Sequence, residues 1–293
     1  MQEAHSKEKK EVPMKKTASI LIFALLLGLI ASPAYAAKDI GIEIDGVAIK
    51  TDVKPETKND RTMVPLRIVS ESLAANVEWA DPEVKLTKHN LNVILKANSK
   101  SAIINGKTVQ MDVAPYLKNK RIYVPLRFLS EAFGYKVTYV SPTVKIETTP
   151  LLIDGKQVNA MQHYSRMTMG GILSEVSANA YIEAIYYQLE QSKGDEVKSP
   201  SEQDLDIDPS SFSMRAQYHL LDKDDNSILE LELYSLNTDI PEKVVAPYPA
   251  RLIHDVTTDK WYSYEPKDED SLQQFFDMAE AQGFLVVLSN NAA

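Results

Sequence analysis

A 60-residue internal repeat constrains this chain more than any other feature of its sequence. Residues 61–77 read R-T-M-V-P-L-R-I-V-S-E-S-L-A-A-N-V, and residues 121–137 read R-I-Y-V-P-L-R-F-L-S-E-A-F-G-Y-K-V. The same offset relates six further pairs: Gly46 and Gly106, Asp52 and Asp112, Pro55 and Pro115, Asn59 and Asn119, Pro82 and Pro142, Lys85 and Lys145. So many matches at one spacing indicate a duplicated supersecondary unit.

Each copy predicts a strand that runs directly into a helix. The proline of V-P cannot donate a sheet hydrogen bond, but its fixed φ suits the first turn of a helix. Leu126 and Leu129 then lie on one apolar helix face, and Gly134 suits the left-handed position that ends a helix. The first copy has Ala74 there, so we expect its helix stop to be weaker and displaced to Asn76, which tolerates the left-handed region better.

Hairpins are predicted upstream of each V-P segment. Apolar and polar residues alternate around Asp45-Gly46 and around Asn105-Gly106, and such dipeptides favour tight two-residue turns. Neither copy has many apolar residues of its own. We therefore expect the two copies to share one core in a single α+β domain of antiparallel strands, a duplicated strand-helix-strand unit.

These motifs, in this order, resemble a known family. The pattern R-x-x-V-P-L-R, the S-E-x-x-G-like helix, the upstream I-N-G-K-x-V hairpin and D-x-A-P resemble the copper amine oxidase N-terminal-like domain, also called a stalk domain, of secreted Firmicute proteins. The resemblance covers about residues 38–149. It implies a small α+β module with a binding or spacing role outside the cell. It implies no copper chemistry, because the module is an appendage of the oxidase and not its copper-binding catalytic domain.

The first 36 residues are typical of a secretory signal peptide. A basic stretch precedes an apolar run at residues 20–30, which is too short to span a membrane comfortably, and Ala34-Tyr35-Ala36 supplies small residues for cleavage. An uncleaved anchoring helix is the alternative. Residues 1–13 are interpreted as an upstream extension before a second methionine, Met14. We expect a secreted or cell-wall-associated protein that meets the membrane only through the signal peptide before cleavage.

Composition excludes several classes of function. The chain has no cysteine, which excludes a lipoprotein anchor, disulfides and thiolate metal sites. Its formal net charge is −9, and this disfavours nucleic acid and anionic lipid as partners at long range. No cofactor is predicted.

Residues 150–293 predict a second α+β domain, of a family that the sequence does not identify. The predicted parts are an I-D-G-K-Q-V hairpin at residues 153–158, a helix at 172–191, an acidic linker at 192–211, hairpin turns at 222–227 and 256–259, a helix at 271–282 and a strand at 284–288. The hairpin is interpreted as the start of this domain, with the remnant of a third repeat as the alternative.

Arg67 and Arg127 are candidate ligand-binding residues because both copies carry them. Each has a glutamate four residues later, Glu71 or Glu131, so an ordinary surface ion pair on a helix explains the repetition equally well.

The aromatic cluster Trp261, Tyr262 and Tyr264 is a second candidate binding site. On a strand, Trp261 points to one face of the sheet and the two tyrosines to the other. One face is expected to be core, and the other offers rings that stack on a sugar or a peptide.

Metal and catalytic signals are weak. Asp222, Asp224 and Asn226 have the spacing of a calcium loop, but Ser227 replaces its turn glycine and Leu233 its closing glutamate. Clustered histidines and the common hydrolase motifs are absent from the sequence.

The sequence therefore predicts a secreted, non-enzymatic envelope protein. Its stalk-like module serves for docking or as a spacer. Its C-terminal domain contacts a partner, either wall glycan or another exported protein. Two alternatives stay open: an extracellular hydrolase with its site around His254 and Asp255, and a calcium-dependent adhesive module.

Overall fold

The computed structural model describes residues 39–80, 82–200, 212–236, 249–265 and 269–292, with side chains of the last segment described from residue 272. The predicted signal peptide and its extension lie outside the described residues, as does the linker from residue 201 to 211.

Residues 39–149 contain short strands and two short helices. In the first copy they are β1 (Gly41–Ile44), β2 (Val47–Ala48), β3 (Glu56–Lys58), β4 (Arg61–Pro65), α1 (Leu66–Ser72), β5 (Asn76–Ala80), β6 (Glu83–Lys88) and β7 (Leu91–Lys96). In the second copy they are β8 (Ser101–Ile104), β9 (Lys107–Gln110), β10 (Tyr116–Lys118), β11 (Arg121–Pro125), α2 (Leu126–Ala132), β12 (Lys136–Val140) and β13 (Thr143–Glu147). Pro65 and Pro125 precede their helices with φ of −59° and −61°, the value that a first helical turn needs.

The predicted hairpin turns form. Asp45 and Gly46 have φ of 48° and 85°, and Asn105 and Gly106 have φ of 48° and 79°. Two consecutive positive φ angles define the turn whose twist matches that of the flanking strands, and Asp-Gly and Asn-Gly adopt it readily.

Three small sheets each combine strands from both copies. Their orders are β12-β13-β1-β2, β10-β11-β4-β3 and β5-β6-β7-β8-β9. In these sheets β1 runs parallel to β13, and the other paired strands are antiparallel. Val69 and Leu129, from the two helices, are fully buried in the same apolar core. The copies therefore depend on each other for both sheets and core.

The helix stop of the first copy differs from the prediction. Ala74 itself takes the left-handed conformation, with φ of 56°, and Asn76 already belongs to β5. The backbone N–H groups of Ala74 and Ala75 donate to the carbonyls of Glu71 and Ser70, both at 2.9 Å. In the second copy, the N–H groups of Gly134 and Tyr135 donate in the same way to the equivalent carbonyls, Glu131 and Ser130. These bonds hold alanine in a conformation that costs about 1 kcal/mol more than it does for glycine.

Residues 150–293 are built on one eight-stranded sheet. A separate hairpin of β14 (Leu152–Ile153) and β15 (Lys156–Gln157) precedes it. The order in the sheet is β18-β22-β21-β20-β19-β16-β17-β23, antiparallel throughout. The strands are β16 (Ala160–Arg166), β17 (Gly171–Val176), β18 (Lys193–Val197), β19 (Phe212–Leu221), β20 (Ser227–Leu236), β21 (Arg251–Asp255), β22 (Lys260–Tyr264) and β23 (Leu285–Asn290), and the helices are α3 (Asn179–Gln191) and α4 (Glu269–Gln282).

Two predictions in this part were wrong in detail. The helix predicted at residues 172–191 begins only at Asn179, because Gly171–Val176 pairs with β16 as a strand. The short apolar run in Gly171–Val176 fits the two-residue period of a strand as well as the 3.6-residue period of a helix, and pairing with neighbouring strands decides between them. The start of the predicted linker, Lys193–Val197, is likewise a strand, held against β22.

The apolar core is continuous from Ile42 to Phe284, and residues 39–293 form one compact unit. Helix α3 joins the two parts: the Tyr181 hydroxyl donates to the Glu71 carbonyl at 2.5 Å, and Lys88 Nζ lies 2.9 Å from the Glu183 carboxylate. The fold is mixed α+β and mostly antiparallel, as predicted. A domain boundary at residue 150 stays a prediction. No helix in the described segments has the length and apolarity needed to cross a membrane.

Candidate functional site

The two V-P-L-R segments meet at an approximate twofold axis. Strands β4 and β11 pair antiparallel, and Val64 lies directly opposite Val124, its own counterpart in the repeat. Because the strands run in opposite directions from that point, α1 and α2 leave the sheet on opposite sides of the axis. Any site built at one V-P-L-R joint is therefore repeated at the other.

A cleft lies beside each joint. The Tyr139 cleft has a volume of about 440 Å³ and the Trp79 cleft about 310 Å³. The Tyr139 cleft is lined by Ile40, Thr57, Asp60, Arg61, Thr62, Pro125, Leu126, Arg127, Val137, Tyr139 and Val144. The Trp79 cleft is lined by Pro65, Leu66, Arg67, Ile68, Val77, Trp79, Val84, Lys120, Arg121 and Ile122. Nine lining positions of one cleft recur in the other at the repeat offset.

Each cleft needs both copies. The P-L-R segment and the aromatic strand come from one copy, whereas the turn that closes the cleft, residues 60–62 or 120–122, comes from the other. A single copy contains no complete cleft, and this makes the twofold packing a condition for the site.

The repeated arginines Arg67 and Arg127 line the two clefts. Arg67 forms the expected ion pair with Glu71, at 3.3 Å. Arg127 is exposed and forms no ion pair within the part of the chain that the structure describes. Both arginines are positioned to reach a ligand, and one of them has no competing carboxylate.

Reciprocal ion pairs link the two copies across the axis. Arg61 of the first copy binds Asp112 of the second at 2.7 Å, and Arg121 of the second binds Asp52 of the first through both carboxylate oxygens. The hydrogen bonds from Arg121 lower the pKa of Asp52 below its ordinary value. The sequence shows both pairs at one offset, and that repetition of opposite charges was the signal that could have predicted them.

Each cleft exposes one large aromatic ring. Trp79 is 53% exposed and Tyr139 is 56% exposed, and they occupy the same position of the repeat, on β5 and β12. No motif of the sequence pointed to these two residues as a site. Exposed rings beside cationic groups can stack on a flat or ring-shaped ligand while the cations bind its polar groups.

The predicted cluster on β22 divides between the two faces of the large sheet. Tyr262 and Tyr264 pack against the apolar core. Trp261 lies on the opposite face, where its ring stacks on His254 at 4.2 Å between centroids and is tilted against Tyr234 at 5.3 Å. The three residues are not brought together in one site, and only Trp261 faces away from the core.

His254 is engaged by carboxylates on both sides. Its Nδ1 lies 3.4 Å from Glu232 and its Nε2 lies 3.1 Å from Asp259. Asp255 is on the other face of the sheet, near Lys193 at 3.6 Å. Both ring nitrogens therefore face carboxylates, and Asp255, the partner proposed for His254 in a hydrolase, lies on the other face of the sheet.

The acidic turn at residues 222–226 is bonded to itself. Asp222 accepts hydrogen bonds from the backbone N–H groups of Asp224 and Asn226, at 2.8 and 3.0 Å, and from the Asn226 side-chain amide. Lys223 holds the Asp224 carboxylate at 2.7 Å. These contacts turn the three candidate calcium ligands toward the turn itself. Within the described segments, no group of three His, Cys, Asp or Glu residues is placed to hold a metal ion.

The fold and its paired clefts define a duplicated module of antiparallel strands and two short helices. Residues 43–148 match the family model of the copper amine oxidase N-terminal domain. The match confirms the resemblance predicted from the repeated motifs, and it concerns the N-terminal domain of such oxidases, not their catalytic domain. No curated protein matches the chain.

Proposed function

We propose that this protein is an exported, non-catalytic docking protein of the cell envelope, held to its partner by the Trp79 cleft and the Tyr139 cleft. The observation that carries the proposal is the recurrence of one cleft, with an exposed aromatic ring and arginines, on both sides of the twofold axis. The match of residues 43–148 to the copper amine oxidase N-terminal domain is compatible with a non-catalytic, stalk-like role.

The exposure of the two rings favours a binding role over packing. A tryptophan and a tyrosine that are each more than half exposed gain little from the core, whereas a ligand that covers them contributes both apolar burial and stacking. The alternative is that Trp79 and Tyr139 are isolated apolar residues on the surface, which are common. Their placement at the same repeat position, inside a cleft, argues against that alternative.

Two clefts on one compact unit suit a polymeric partner. A polymer that presents the same unit repeatedly can occupy both clefts, and the second contact then forms at high effective concentration. Wall glycan has this property, so we infer wall glycan as the partner of the duplicated module. The eight-stranded sheet, with Trp261 on its outer face, is left for a second partner such as another exported protein.

Co-sedimentation with isolated cell wall tests the proposal. The mature chain, from residue 37, should sediment with the wall, and the Trp79→Ala/Tyr139→Ala double variant should bind about tenfold more weakly, because each ring contributes stacking and apolar area. Leu152→Ala is the matched control, since Leu152 is 63% exposed on the β14–β15 hairpin, outside both clefts. Unchanged binding of the double variant would remove the clefts from the docking role.

A further inference from the structure

The two clefts differ in charge at one repeat position. The Trp79 cleft is lined by three cationic residues, Arg67, Lys120 and Arg121, and by no acidic residue. The Tyr139 cleft has two arginines, and Asp60 stands where the other cleft has Lys120. In a chain with a net charge of −9, a cleft lined only by cationic and uncharged residues is a local exception.

The turn does not explain the lysine. Asp60 and Lys120 are both the second residue of a tight turn, with φ of 57° and 62°, and each follows an asparagine with positive φ. Aspartate populates the left-handed region more readily than lysine does, because its short side chain bonds to the local backbone. Lysine at position 120 is therefore less suitable for this turn than aspartate would be. The conformation of the turn does not explain why a cationic residue occupies it.

Lys120 is also the cation that the cleft leaves unpaired. Arg121 is held by Asp52, and Arg67 lies 3.3 Å from Glu71. Lys120 is exposed and forms no ion pair with any residue that the structure describes. Lys120 lines the same cleft as Trp79, which is 53% exposed.

We propose that the Trp79 cleft binds a sugar ring that carries an anionic group, with the ring stacked on Trp79 and the anion at Lys120. The inference rests on the proposed docking function and adds the chemical class of its ligand. A volume of about 310 Å³ accommodates a ligand of this size. The anion is a carboxylate or a phosphate, since an ammonium group binds either as a point charge.

Tryptophan fluorescence reports on this cleft selectively. The chain has two tryptophans, so Trp261→Phe leaves Trp79 as the one emitter and keeps an aromatic ring on His254. The mature Trp261→Phe protein is titrated with soluble wall fragments released by muramidase. Saturable quenching or a spectral shift is expected, and a flat titration overturns the proposal.

Chemical treatment of the fragments identifies the anion. Amidation of carboxylates abolishes the Trp79 signal if the anion is a carboxylate, and removal of phosphate with hydrofluoric acid abolishes it if the anion is a phosphate; either result supports the proposal. Fragments that have undergone both treatments and still bind as untreated ones do would overturn it.

Exchange of the two charges provides the matched control. Lys120→Asp is expected to weaken binding at Trp79 about tenfold, because a hydrogen bond to a charged group is lost and a repulsion is added. Asp60→Lys, in the same turn of the other copy, adds a cation to the Tyr139 cleft and should not weaken the Trp79 titration. Each variant carries a residue that the equivalent turn already accommodates. An unchanged titration of Lys120→Asp contradicts the anionic ligand.

The outcome separates this inference from the docking function. If the double aromatic variant loses wall binding and Lys120→Asp does not, the clefts dock and the anionic ligand is wrong. If wall binding survives both changes, docking through the clefts fails and the inference fails with it.

Discussion

The two copies of the repeat have similar backbone folds but make different contacts at equivalent strand ends. Strand β6 of the first copy ends at Lys88, which is 8% exposed and whose Nζ contacts Glu183 of helix α3 and the Tyr135 hydroxyl. The equivalent position in the second copy is Thr148, whose backbone N–H and hydroxyl donate to Asp45 of the first hairpin. The Lys88 side chain therefore reaches the C-terminal part, whereas the Thr148 side chain binds within the module.

This difference shows what the repeat determines. The strand, proline and helix at each joint follow from residues that both copies keep, and they produce the same cleft twice. The neighbour that each copy binds follows from single residues that differ, such as Lys88 and Thr148 at the ends or Lys120 and Asp60 in the clefts. Attachment and binding preference can change in one copy while the shared core stays intact.

The largest expected effect comes from breaking the Lys88 contact. Lys88→Ala removes one member of a mostly buried ion pair, and we expect the free energy of unfolding to fall by about 3 kcal/mol, at the low end for such pairs because Glu183 keeps 30% side-chain exposure. Thr148→Ala should cost about 1 kcal/mol, since the backbone bond to Asp45 remains. Urea denaturation measures both, and equal losses would contradict the asymmetry of the ends.

Acid should destabilise the protein through a buried histidine of the eight-stranded sheet. His163 lies between the rings of Tyr218 and Phe276, at 4.8 and 4.3 Å, and burial lowers its pKa to about 4. In the unfolded chain the imidazole of His163 takes up a proton near pH 6.5. The free energy of unfolding is therefore highest above pH 6.5 and declines as pH falls toward 4. The loss is about 2 kcal/mol at pH 5.

His163→Phe is the control for this pH dependence. It keeps a ring in the stack and removes the titrating group, so its stability should vary less between pH 6.5 and pH 4 than that of the parent protein. Denaturation curves collected across this pH range compare the two proteins. A parallel decline in both would assign the acid sensitivity to other groups.

The smallest effect separates the two helix stops. Gly134→Ala places a Cβ at φ of 77°, in open space, so we expect a loss of about 1 kcal/mol from backbone strain alone. Ala74→Gly relieves the same strain but removes a buried methyl group worth about 0.8 kcal/mol, so its net effect should be near zero. Thermal denaturation of both variants tests this, and a larger loss at position 74 than at 134 would contradict it.

Local rules account for the parts of the fold that the sequence predicted. Proline before a helix, Asp-Gly and Asn-Gly turns, and the glycine stop at Gly283, with φ of 84°, depend on residues close in the chain. The face assignment on β22 was also correct, because alternation along a strand needs no knowledge of its neighbours.

Non-local contacts account for what the sequence missed. Strand β17 contains the run I-L-S-E-V, which fits a helix equally well until β16 and β23 pair with it on either side. The clefts were missed for the same reason, since Trp79 and Lys120 belong to different copies and meet only after those copies pack together. Asp52 and Asp112 are equivalent positions of the repeat, as are Arg61 and Arg121. Their repetition predicts the contact between the copies only if each arginine is paired with the aspartate of the other copy.

Amide chemical-shift mapping with soluble wall fragments shows which surface of the protein binds the wall. If the clefts dock, two groups of perturbed residues related by the repeat offset are expected, one at residues 60–62, 125–127 and 137–144, the other at 65–68, 77–84 and 120–122, with the larger shifts around Trp79. Perturbations confined to the outer face of the eight-stranded sheet around Trp261, or none in either cleft, would contradict docking through the clefts.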